Sequence, residues 1–269
     1  MSYEPKRYKI IGVKSFTPDV RLFRVKCKLD PKPGQFLEVS VSGFGECPLA
    51  SCSHMPEFVD LLTRRAGNVT NAMFNLKEGD SIFIRGPYGK GFPVEKLKGK
   101  NLILVAGGTG IAPVTSFINF VEQNRKSFGK VFIYFGFRDE KNILLKDRIE
   151  RWSKKFNVHI CLNECEKHSY EKGFVNDVMD KHKPEVENTV ALLCGPEAMM
   201  DAVTKELKKL GVTHKNVYWS MERRMECGFG SCGRCQIQDV YVCKDGPVFR
   251  YDFIKSRLDN ERSSERWSE

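Results

Sequence analysis

Short apolar runs that alternate with helical patterns constrain most strongly what this chain can fold into. From residue 97 onward, apolar runs cover residues 101–106, 130–135, 157–162 and 189–194, and a last strand is predicted over 216–220. Helical periodicity separates them over 112–123, 145–155, 174–181 and 197–210. Strands that alternate with helices of this length build a parallel sheet with helices on both faces. The sequence therefore predicts an α/β domain over residues 97–222.

Residues 1–96 have a different, β-rich pattern. Short strands are predicted over 8–13, 21–26, 35–41, 58–63 and 81–85, with turn signals such as Pro-Lys-Pro-Gly at 31–34 between them and a short helix over 71–75. Regularly spaced short strands are typical of a small β-barrel. Two further segments follow the α/β domain: a Cys- and Gly-rich segment over 223–250 and a polar C-terminal tail over 251–269.

Charge and composition argue against nucleic-acid and membrane partners. The net charge is +10, but basic residues alternate with acidic ones and form no dense block, which is typical of a solvated surface. We find no signal-peptide-like start, and no run approaches the roughly 20 apolar residues that span a bilayer. We therefore expect a cytoplasmic protein, in which the ten cysteines are metal ligands or free thiols rather than disulfides.

Four cysteines near the C-terminus have the spacing of an iron–sulfur ligand set. Cys227, Cys232 and Cys235 follow the pattern C-x4-C-x2-C, and Cys243 comes after seven intervening residues. This order is that of a plant-type two-iron, two-sulfur cluster. The loop also contains the glycines that a chain needs in order to wrap a cluster: Gly228, Gly230 and Gly233. The alternatives are buried thiols or a zinc site, although zinc typically uses two C-x2-C pairs and only one is present.

Two turns at strand ends predict a nucleotide site in the α/β domain. Gly107-Gly108-Thr109-Gly110 lies between a strand and a helix, where amides and the helix dipole can hold a pyrophosphate. It differs from G-x-G-x-x-G because Pro113 takes the place of the third glycine. The second turn is Cys194-Gly195-Pro196, and ligands of such sheets bind at the carboxyl ends of strands. The alternative for Cys194 alone is a buried thiol.

These features together resemble the ferredoxin-NADP reductase superfamily. The four-cysteine segment is similar to that of the dihydroorotate dehydrogenase electron-transfer subunits. Within this branch, Glu-Arg-Arg-Met-Glu-Cys at 222–227 and Tyr-Val-Cys-Lys-Asp-Gly-Pro-Val-Phe at 241–249 resemble the B-type subunits of anaerobic sulfite reductases most closely. The gamma subunits of cytosolic sulfhydrogenases share nearly the same ending. The resemblance covers residues 8–249 and implies a β-barrel FAD-binding domain, an α/β NAD-binding domain and a small iron–sulfur segment.

The resemblance implies that FAD binds at two elements of the barrel. The superfamily motif for the isoalloxazine ring, Arg-x-Tyr-Ser or Arg-Pro-x-Ser, aligns with Cys47-Pro48-Leu49-Ala50, so the Arg and the Ser are replaced. Ser51 or Ser53 is then expected to supply the missing hydroxyl. The second element contains Thr63, Arg64, Gly67, Asn68, Val69 and Thr70, a strand-to-helix turn expected to hold the flavin pyrophosphate. The alternative for Arg64 is an ordinary surface charge.

The resemblance also implies how NADH or NADPH binds. The turn from Gly107 to Gly110 is expected to hold the pyrophosphate, and the turn from Cys194 to Pro196 to border the nicotinamide. Selectivity is expected to depend on Arg138, which suits a 2′-phosphate, and on Asp139 or Glu140, which suit a ribose hydroxyl. The resemblance favours NADH.

The implied function is electron transfer by an NAD(P)H-dependent reductase subunit. Electrons are expected to pass from the nicotinamide to FAD, then singly to the cluster and on to a partner, without a catalytic acid or base. The expected partners are iron–sulfur and catalytic subunits of a hetero-oligomeric reductase, with an anaerobic sulfite reductase as the first choice. The alternatives are a hydrogenase or sulfhydrogenase gamma subunit, a stand-alone NAD(P)H:ferredoxin-type flavoreductase, and a non-catalytic zinc or redox-sensing regulator.

Overall fold

The computed structural model describes residues 3–165 and 170–265. The N-terminal domain is an antiparallel sheet of six strands in the order β4-β3-β6-β1-β2-β5, which curls until Ser51 bridges Leu61. Its strands are β1 (Lys6–Thr17), β2 (Val20–Lys26), β3 (Phe36–Val41), β4 (Gly45–Ala50), β5 (Phe58–Arg64) and β6 (Ser81–Tyr88). Helix α1 (Asn68–Met73) connects β5 to β6, and α2 (Val94–Leu97) leads out of the barrel.

Strand β4 is absent from the sequence-based prediction. Pro48 lies in its interior, and proline cannot donate to a β-ladder, so the pattern argues against a strand. The structure accommodates Pro48 because β4 is the edge of the sheet and pairs only with β3, through the registers Val39↔Cys47 and Leu37↔Leu49. The opposite side of β4 therefore needs no ladder.

The second domain is the predicted parallel sheet with helices on both faces. Six strands run parallel in the order β10-β9-β8-β7-β11-β12, and β15 extends the sheet antiparallel beside β12. The strands are β7 (Asn101–Gly107), β8 (Val131–Phe137), β9 (Asn157–Leu162), β10 (Glu171–Lys172), β11 (Thr189–Cys194), β12 (Val217–Ser220) and β15 (Val248–Arg250). The connecting helices are α3 (Ile111–Gln123), α4 (Lys146–Ser153), α5 (Val175–His182) and α6 (Glu197–Lys209).

The alternating side chains of β7 show how this sheet is held. Leu102 and Leu104 face a core that includes Phe117 of α3 and Trp152 of α4. Ile103 belongs to the core on the other face, which includes residues of α5 and α6. All are fully buried, and burial of each such side chain contributes roughly 1.5–3 kcal/mol. A strand buried on both faces reads as a continuous apolar run, which explains why the sequence predicts it well.

The cysteine-rich segment returns the chain to the sheet. It contains β13 (Gln236–Ile237), β14 (Val240–Tyr241) and α7 (Val242–Asp245), and then β15 pairs antiparallel with β12. Helix α8 (Tyr251–Glu265) follows. The structure differs here from the predicted polar tail, because Tyr251, Ile254 and Leu258 are buried in the core. Their spacing of three and four residues makes one apolar helix face from few apolar residues; residues 266–269 lie outside the described part.

Contacts between the two domains fix the walls of the site. Arg148 of α4 donates a hydrogen bond of 2.8 Å to the carbonyl oxygen of Cys52 and forms an ion pair with the buried Asp60. On α3, the hydroxyl of Ser116 accepts a hydrogen bond of 3.3 Å from the amide of Gly34. Within the two described ranges, no helix is long and apolar enough to cross a membrane.

Candidate functional site

A cavity of about 750 Å³ lies between the barrel and the parallel sheet. It opens at the carboxyl ends of β7, β8 and β11, where α/β sheets bind ligands. The barrel contributes Asp19, Val20 and Arg64 to its wall, and the sheet domain contributes Gly107, Gly108, Thr109, Gly136, Phe137, Arg138, Asn142, Asn163 and Pro196. The segment Gly173 to Asn176 completes the wall. This size suits a dinucleotide.

The two predicted nucleotide turns meet at the end of adjacent strands, with Ala106 of β7 opposite Cys194 of β11. A Cβ atom at Gly110 would lie 2.6 Å from the carbonyl oxygen of Cys194, so a larger residue there is excluded by packing. Gly108 is different, because a Cβ atom there would meet nothing within 4 Å and its φ is +53°. Gly108 therefore leaves open space on the ligand side of the turn.

The residues predicted to bind NADH or NADPH fall into two groups according to their position relative to the cavity. Gly107, Gly108, Thr109 and Pro196 are on the cavity wall. The others pack behind it: Gly110, Pro113, Cys194 and Gly195. The thiol of Cys194 is only 2% exposed, and burial, reinforced by the nearby Glu222, raises its pKa to about 12. Cys194 thus supports the wall as a neutral thiol, in line with the alternative considered for it.

The charges after β8 differ in their availability to a ligand. Arg138 is on the cavity wall and has an ion-pair partner in Glu164 at 3.5 Å. Asp139 instead caps a 3-10 turn, accepting hydrogen bonds from the amides of Lys141 at 2.8 Å and Asn142 at 3.1 Å. The side-chain amide of Asn142 and these backbone amides lower the pKa of Asp139. Arg138 is therefore the more available charge.

The two predicted flavin elements lie side by side. Cys47, Pro48, Leu49 and Ala50 are half-buried on β4. A Cβ atom at Gly45, where β4 begins, would lie 3.9 Å from the side chain of Val69 on α1. In the second element, Thr70 accepts hydrogen bonds of 2.9 Å from the amides of Ala66 and Gly67, which fixes the turn.

Residues of the second flavin element have separate tasks. Arg64 is exposed on the cavity wall beside Asp19, at 3.2 Å, and Asn68 is exposed at the start of α1, after the same turn. Thr63 is buried and donates a hydrogen bond of 3.4 Å to the carbonyl oxygen of Leu61. Arg64 and Asn68 can therefore receive an anionic group, which fits a pyrophosphate, while Thr63 and Thr70 hold the turn.

Ser51 and Ser53, predicted as the source of the missing flavin-binding hydroxyl, lie in the loop that follows β4. Ser51 is fully buried and donates a hydrogen bond of 2.8 Å to the carbonyl oxygen of Ser53. Ser53 is also buried, and its hydroxyl accepts a hydrogen bond of 2.9 Å from the amide of Asp60. Both hydroxyls form hydrogen bonds within the loop, and a flavin contact by either one stays a prediction.

The four predicted cluster ligands form two neighbouring pairs. Cys227 interacts with the thiol of Cys232, and Cys243 with the thiol of Cys235. In a two-iron cluster held by four cysteines, each iron takes two thiolates. Two neighbouring pairs of thiols therefore fit a binuclear cluster.

Backbone geometry around Cys227 suits a thiolate ligand. Burial opposes ionisation, but amide hydrogen bonds from Ser231, Phe229 and Cys232 outweigh it and lower the pKa of Cys227 to about 6. The Ser231 amide nitrogen lies 3.3 Å from the sulfur. The glycines at 228, 230 and 233 have φ between +81° and +83°, which confirms the predicted need for backbone freedom.

Arg85 of β6 connects the barrel to the cysteine loop. Its guanidinium donates hydrogen bonds to the carbonyl oxygens of Cys227 at 2.5 Å and Glu226 at 3.0 Å, and it forms an ion pair with Glu46 at 2.8 Å. The side chain is 7% exposed. Sequence reasoning missed this residue, since only the fold brings position 85 to position 227.

Glu38 is a second residue that the sequence did not single out. It is fully buried on β3, and neither carboxylate oxygen has a hydrogen-bond partner among the described residues. Burial raises its pKa to about 7 against the opposing effect of Arg85. A Cβ atom at Gly228 would lie 3.2 Å from the Glu38 side chain, so this carboxyl group lies beside the cysteine loop.

Comparisons with known proteins agree with this geometry. The family model described as an oxidoreductase NAD-binding domain matches residues 104–205. The model described as the iron–sulfur cluster binding domain of dihydroorotate dehydrogenase B matches residues 222–255. Sulfhydrogenase 2 subunit gamma of Pyrococcus furiosus is 39% identical over 93% of this chain and 96% of its own. A probable dihydroorotate dehydrogenase B electron transfer subunit of Methanocaldococcus jannaschii is 37% identical, over 89% and 87%.

Solved structures show the same fold. A chain of the NADH-dependent reduced ferredoxin-NADP oxidoreductase superposes with a TM-score of 0.77 at 24% identity, over 97% of this chain and 98% of that one. A ferredoxin NADP⁺ reductase from Neisseria gonorrhoeae gives a TM-score of 0.69 at 19% identity, over 80% and 97%.

Fold and site together define an NAD-linked oxidoreductase of the ferredoxin-NADP reductase superfamily. More narrowly, the chain belongs to the family of electron-transfer subunits that includes the sulfhydrogenase gamma subunits and the dihydroorotate dehydrogenase B electron-transfer subunits. The predicted fold class is confirmed. The prediction of an enzyme that uses a nicotinamide dinucleotide and an iron–sulfur cluster is confirmed as well. The predicted FAD agrees with this fold. Between the two predicted complexes, the comparisons favour the hydrogenase alternative over sulfite reductase.

Proposed function

We propose that this chain is the gamma-type subunit of a hydrogenase complex and exchanges electrons between NAD(P)H and its partner subunits. The observation that carries the proposal is the 39% identity to a sulfhydrogenase gamma subunit over 93% of this chain and 96% of the relative. A second sulfhydrogenase gamma subunit from the same organism is 34% identical over 94% and 93%. A cytoplasmic location is part of the proposal.

The chain's own residues would bind and orient the cofactors. When bound, the nicotinamide supplies electrons in pairs, FAD converts them to single electrons, and the cluster carries one at a time. The open side of Gly108 and the wall residue Thr109 would hold the nucleotide pyrophosphate. Arg64 and the turn after it would hold that of FAD. Cys227, Cys232, Cys235 and Cys243 would be the cluster ligands.

The cysteine loop provides an exit for electrons. Cys232 is exposed, whereas Cys235 and Cys243 are 1% exposed, so one edge of the ligand set faces the surface. Phe229 on the same loop is 39% exposed, and its ring lies 4.5 Å from that of Tyr3. A partner is therefore expected to dock over Gly228 to Gly233, because electrons leave a cluster only at close approach.

An anaerobic sulfite reductase is the second candidate, favoured by the motifs at 222–227 and 241–249. Anaerobic isolation of the native complex through a tag on this chain separates the two. We expect hydrogenase-type subunits to copurify and the complex to reduce NAD(P)⁺ with H2. Copurification of a siroheme-containing subunit with NAD(P)H-dependent sulfite reduction would contradict the hydrogenase assignment. Rapid turnover of sulfite by the isolated chain would contradict both the hydrogenase and the sulfite reductase assignment, because each makes this chain a subunit that needs a catalytic partner.

A further inference from the structure

We propose that His159, Glu171 and His182 form a binding site for a divalent transition metal of the zinc class. One ligand atom from each residue lies within 4.8 Å of the other two. Two imidazoles and one carboxylate are the protein ligands of open zinc sites, in which water completes the coordination. The site is separate from the cysteine loop, and the proposal does not depend on the proposed function.

The fold brings these three residues together from one edge of the sheet. His159 is on β9, Glu171 begins β10, and His182 ends α5. Glu171 pairs with Cys161 in the parallel register of β10 and β9, which places it beside His159. The rings of His159 and His182 are 4.3 Å apart. Both ends of the segment 171–182 therefore meet at His159.

Hydrogen bonds and ring stacking hold the three side chains in place, as outer-shell contacts do for metal ligands. Glu171 Oε1 lies 2.6 Å from Nε2 of His182, while Oε2 accepts a hydrogen bond of 2.8 Å from Lys181. Lys181 can therefore keep its contact with Oε2 while Oε1 binds a metal, as an outer-shell partner does. Tyr134 stacks on the His159 ring at 4.8 Å with an interplanar angle of 13°.

The charge of Lys181 is the feature of this site that opposes a cation. Its ammonium group donates a hydrogen bond of 2.8 Å to Oε2 of Glu171, so the carboxylate partly balances that charge.

Size and access are compatible with zinc. Bonds of about 2.0–2.1 Å in a tetrahedral site separate neighbouring ligand atoms by about 3.3 Å, so the contact between Glu171 and His182 must lengthen by roughly 0.7 Å. The side chains of these two residues are 26% and 32% exposed, which leaves them room to move and admits an ion. The buried hydroxyl of Tyr134, which stacks on His159, has no hydrogen-bond partner in the described ranges.

Metal binding would fasten a segment that borders the nucleotide cavity. Residues 173–176 lie between Glu171 and His182 along the chain and are part of the cavity wall. Strand β10 has only two residues, so its own pairing holds this edge weakly. A metal that joins Glu171 and His182 to β9 would therefore stabilise the segment by mass action, because it binds the folded arrangement only.

The test uses the full-length chain with its cluster loaded under anaerobic conditions, equilibrated with Zn²⁺ and then desalted. We expect one zinc per chain, and zinc X-ray absorption spectra with nitrogen and oxygen neighbours at about 2.0–2.1 Å and no sulfur at about 2.3 Å. His182→Gln and Glu171→Gln should each lose this zinc. His214→Gln is the matched control and should retain it, because His214 packs on Tyr251 away from β9.

A second measurement separates the loss of zinc binding from misfolding of a variant. Zinc should raise the thermal midpoint of the wild type and of His214→Gln, but not of His182→Gln or Glu171→Gln, whose cluster absorption should match the wild type. Failure of the wild type to retain zinc would overturn the proposal. So would sulfur neighbours in the absorption spectrum, or equal zinc retention by the His182 and Glu171 variants.

Discussion

Arg85 of the barrel donates a hydrogen bond of 2.5 Å to the backbone carbonyl oxygen of Cys227, the first cysteine of the cluster loop. The same guanidinium binds the carbonyl oxygen of Glu226 and the carboxylate of Glu46. Because a planar guanidinium offers several donors in fixed directions, one side chain can hold three groups from two parts of the fold. The barrel and the cluster segment are thereby held in one geometry.

Replacing Arg85 should loosen the cluster loop. Arg85→Met removes the donors to both carbonyl oxygens and leaves Glu46 without its partner, which should destabilise the protein by about 2 kcal/mol. We expect a chelator to remove iron several-fold faster than from the wild type. Arg85→Lys keeps the positive charge but lacks the several donors of the guanidinium, so its rate of iron loss should lie between those of the wild type and Arg85→Met. Equal rates of iron loss in all three proteins would contradict this role.

Replacing single cysteines should distinguish the cluster from zinc. Anaerobically purified protein should hold about two irons and two acid-labile sulfides per chain. Cys232→Ser and Cys235→Ser should lose or destabilise the cluster, since each removes a predicted ligand. Cys47→Ser and Cys161→Ser are matched controls, because these cysteines lie outside the loop. Wild-type protein that lacks iron and sulfide and instead holds zinc with sulfur neighbours at about 2.3 Å would refute the cluster assignment.

A side chain at Gly108 should block the nucleotide selectively. Gly108→Asn tolerates the positive φ and places its side chain in the open space of the cavity. We expect the KM for NAD(P)H to rise at least tenfold while the cluster spectrum stays unchanged. Gly211→Asn is the matched control, since Gly211 also has a positive φ and open space but follows α6. An unchanged KM for Gly108→Asn would place the pyrophosphate elsewhere.

Arg138, rather than Asp139, should decide between NADH and NADPH. The resemblance favours NADH, but Arg138 is on the cavity wall whereas Asp139 caps a turn. Arg138→Ala should lower kcat/KM for NADPH about tenfold, which corresponds to a loss of roughly 1.4 kcal/mol. The kcat/KM for NADH should change little. If Asp139→Ala instead improved NADPH use while Arg138→Ala had no effect, Asp139 would be the selecting residue.

Glu38 should make stability depend on pH. Its pKa is raised by burial to about 7 from 4.5, so its stabilising contribution is complete below pH 4.5 and is lost as pH rises through about 7. At pH 8.5 the stability lost in this way amounts to at most roughly 3.4 kcal/mol. Residue 38 cannot ionise in Glu38→Gln. As pH rises from 5.5 to 8.5, the unfolding midpoint of the variant should therefore increase relative to that of the wild type. A difference that stays constant over this range would show that Glu38 does not titrate there.

Local patterns in the sequence predict much of this protein, and long-range contacts explain the remainder. Glycine turns such as Gly107 to Gly110 and the cysteine loop are visible because their residue types report backbone geometry directly. Strand β4 escapes prediction because Pro48 is tolerated only at a sheet edge, and edge position is a property of the whole barrel. The packing of α8 cannot be predicted from the sequence because the apolar face of this helix consists of so few residues.

Several site residues carry no local signal at all. Arg85 and Glu38 read as ordinary strand residues, and only the fold brings them beside Gly228 and Cys227. The hydrogen bond that Ser51 donates to the carbonyl oxygen of Ser53 carries no local signal either, because residue type does not reveal which group a hydroxyl binds. Predictions from residue type thus hold best where the backbone itself forms the site.

Electron exchange between the cluster and a nicotinamide dinucleotide tests the central claim most directly. The FAD-loaded chain is reduced anaerobically with titanium(III) citrate, freed of reductant and mixed with NAD⁺ or NADP⁺. The paramagnetic signal of the reduced cluster and the absorbance of the reduced nicotinamide are then followed together. We predict that the cluster signal falls as NAD(P)H forms, that cluster and FAD together lose two electrons for each NAD(P)H, and that oxidation of the cluster requires FAD. A cluster that stays reduced in the presence of FAD and either nucleotide would contradict the account.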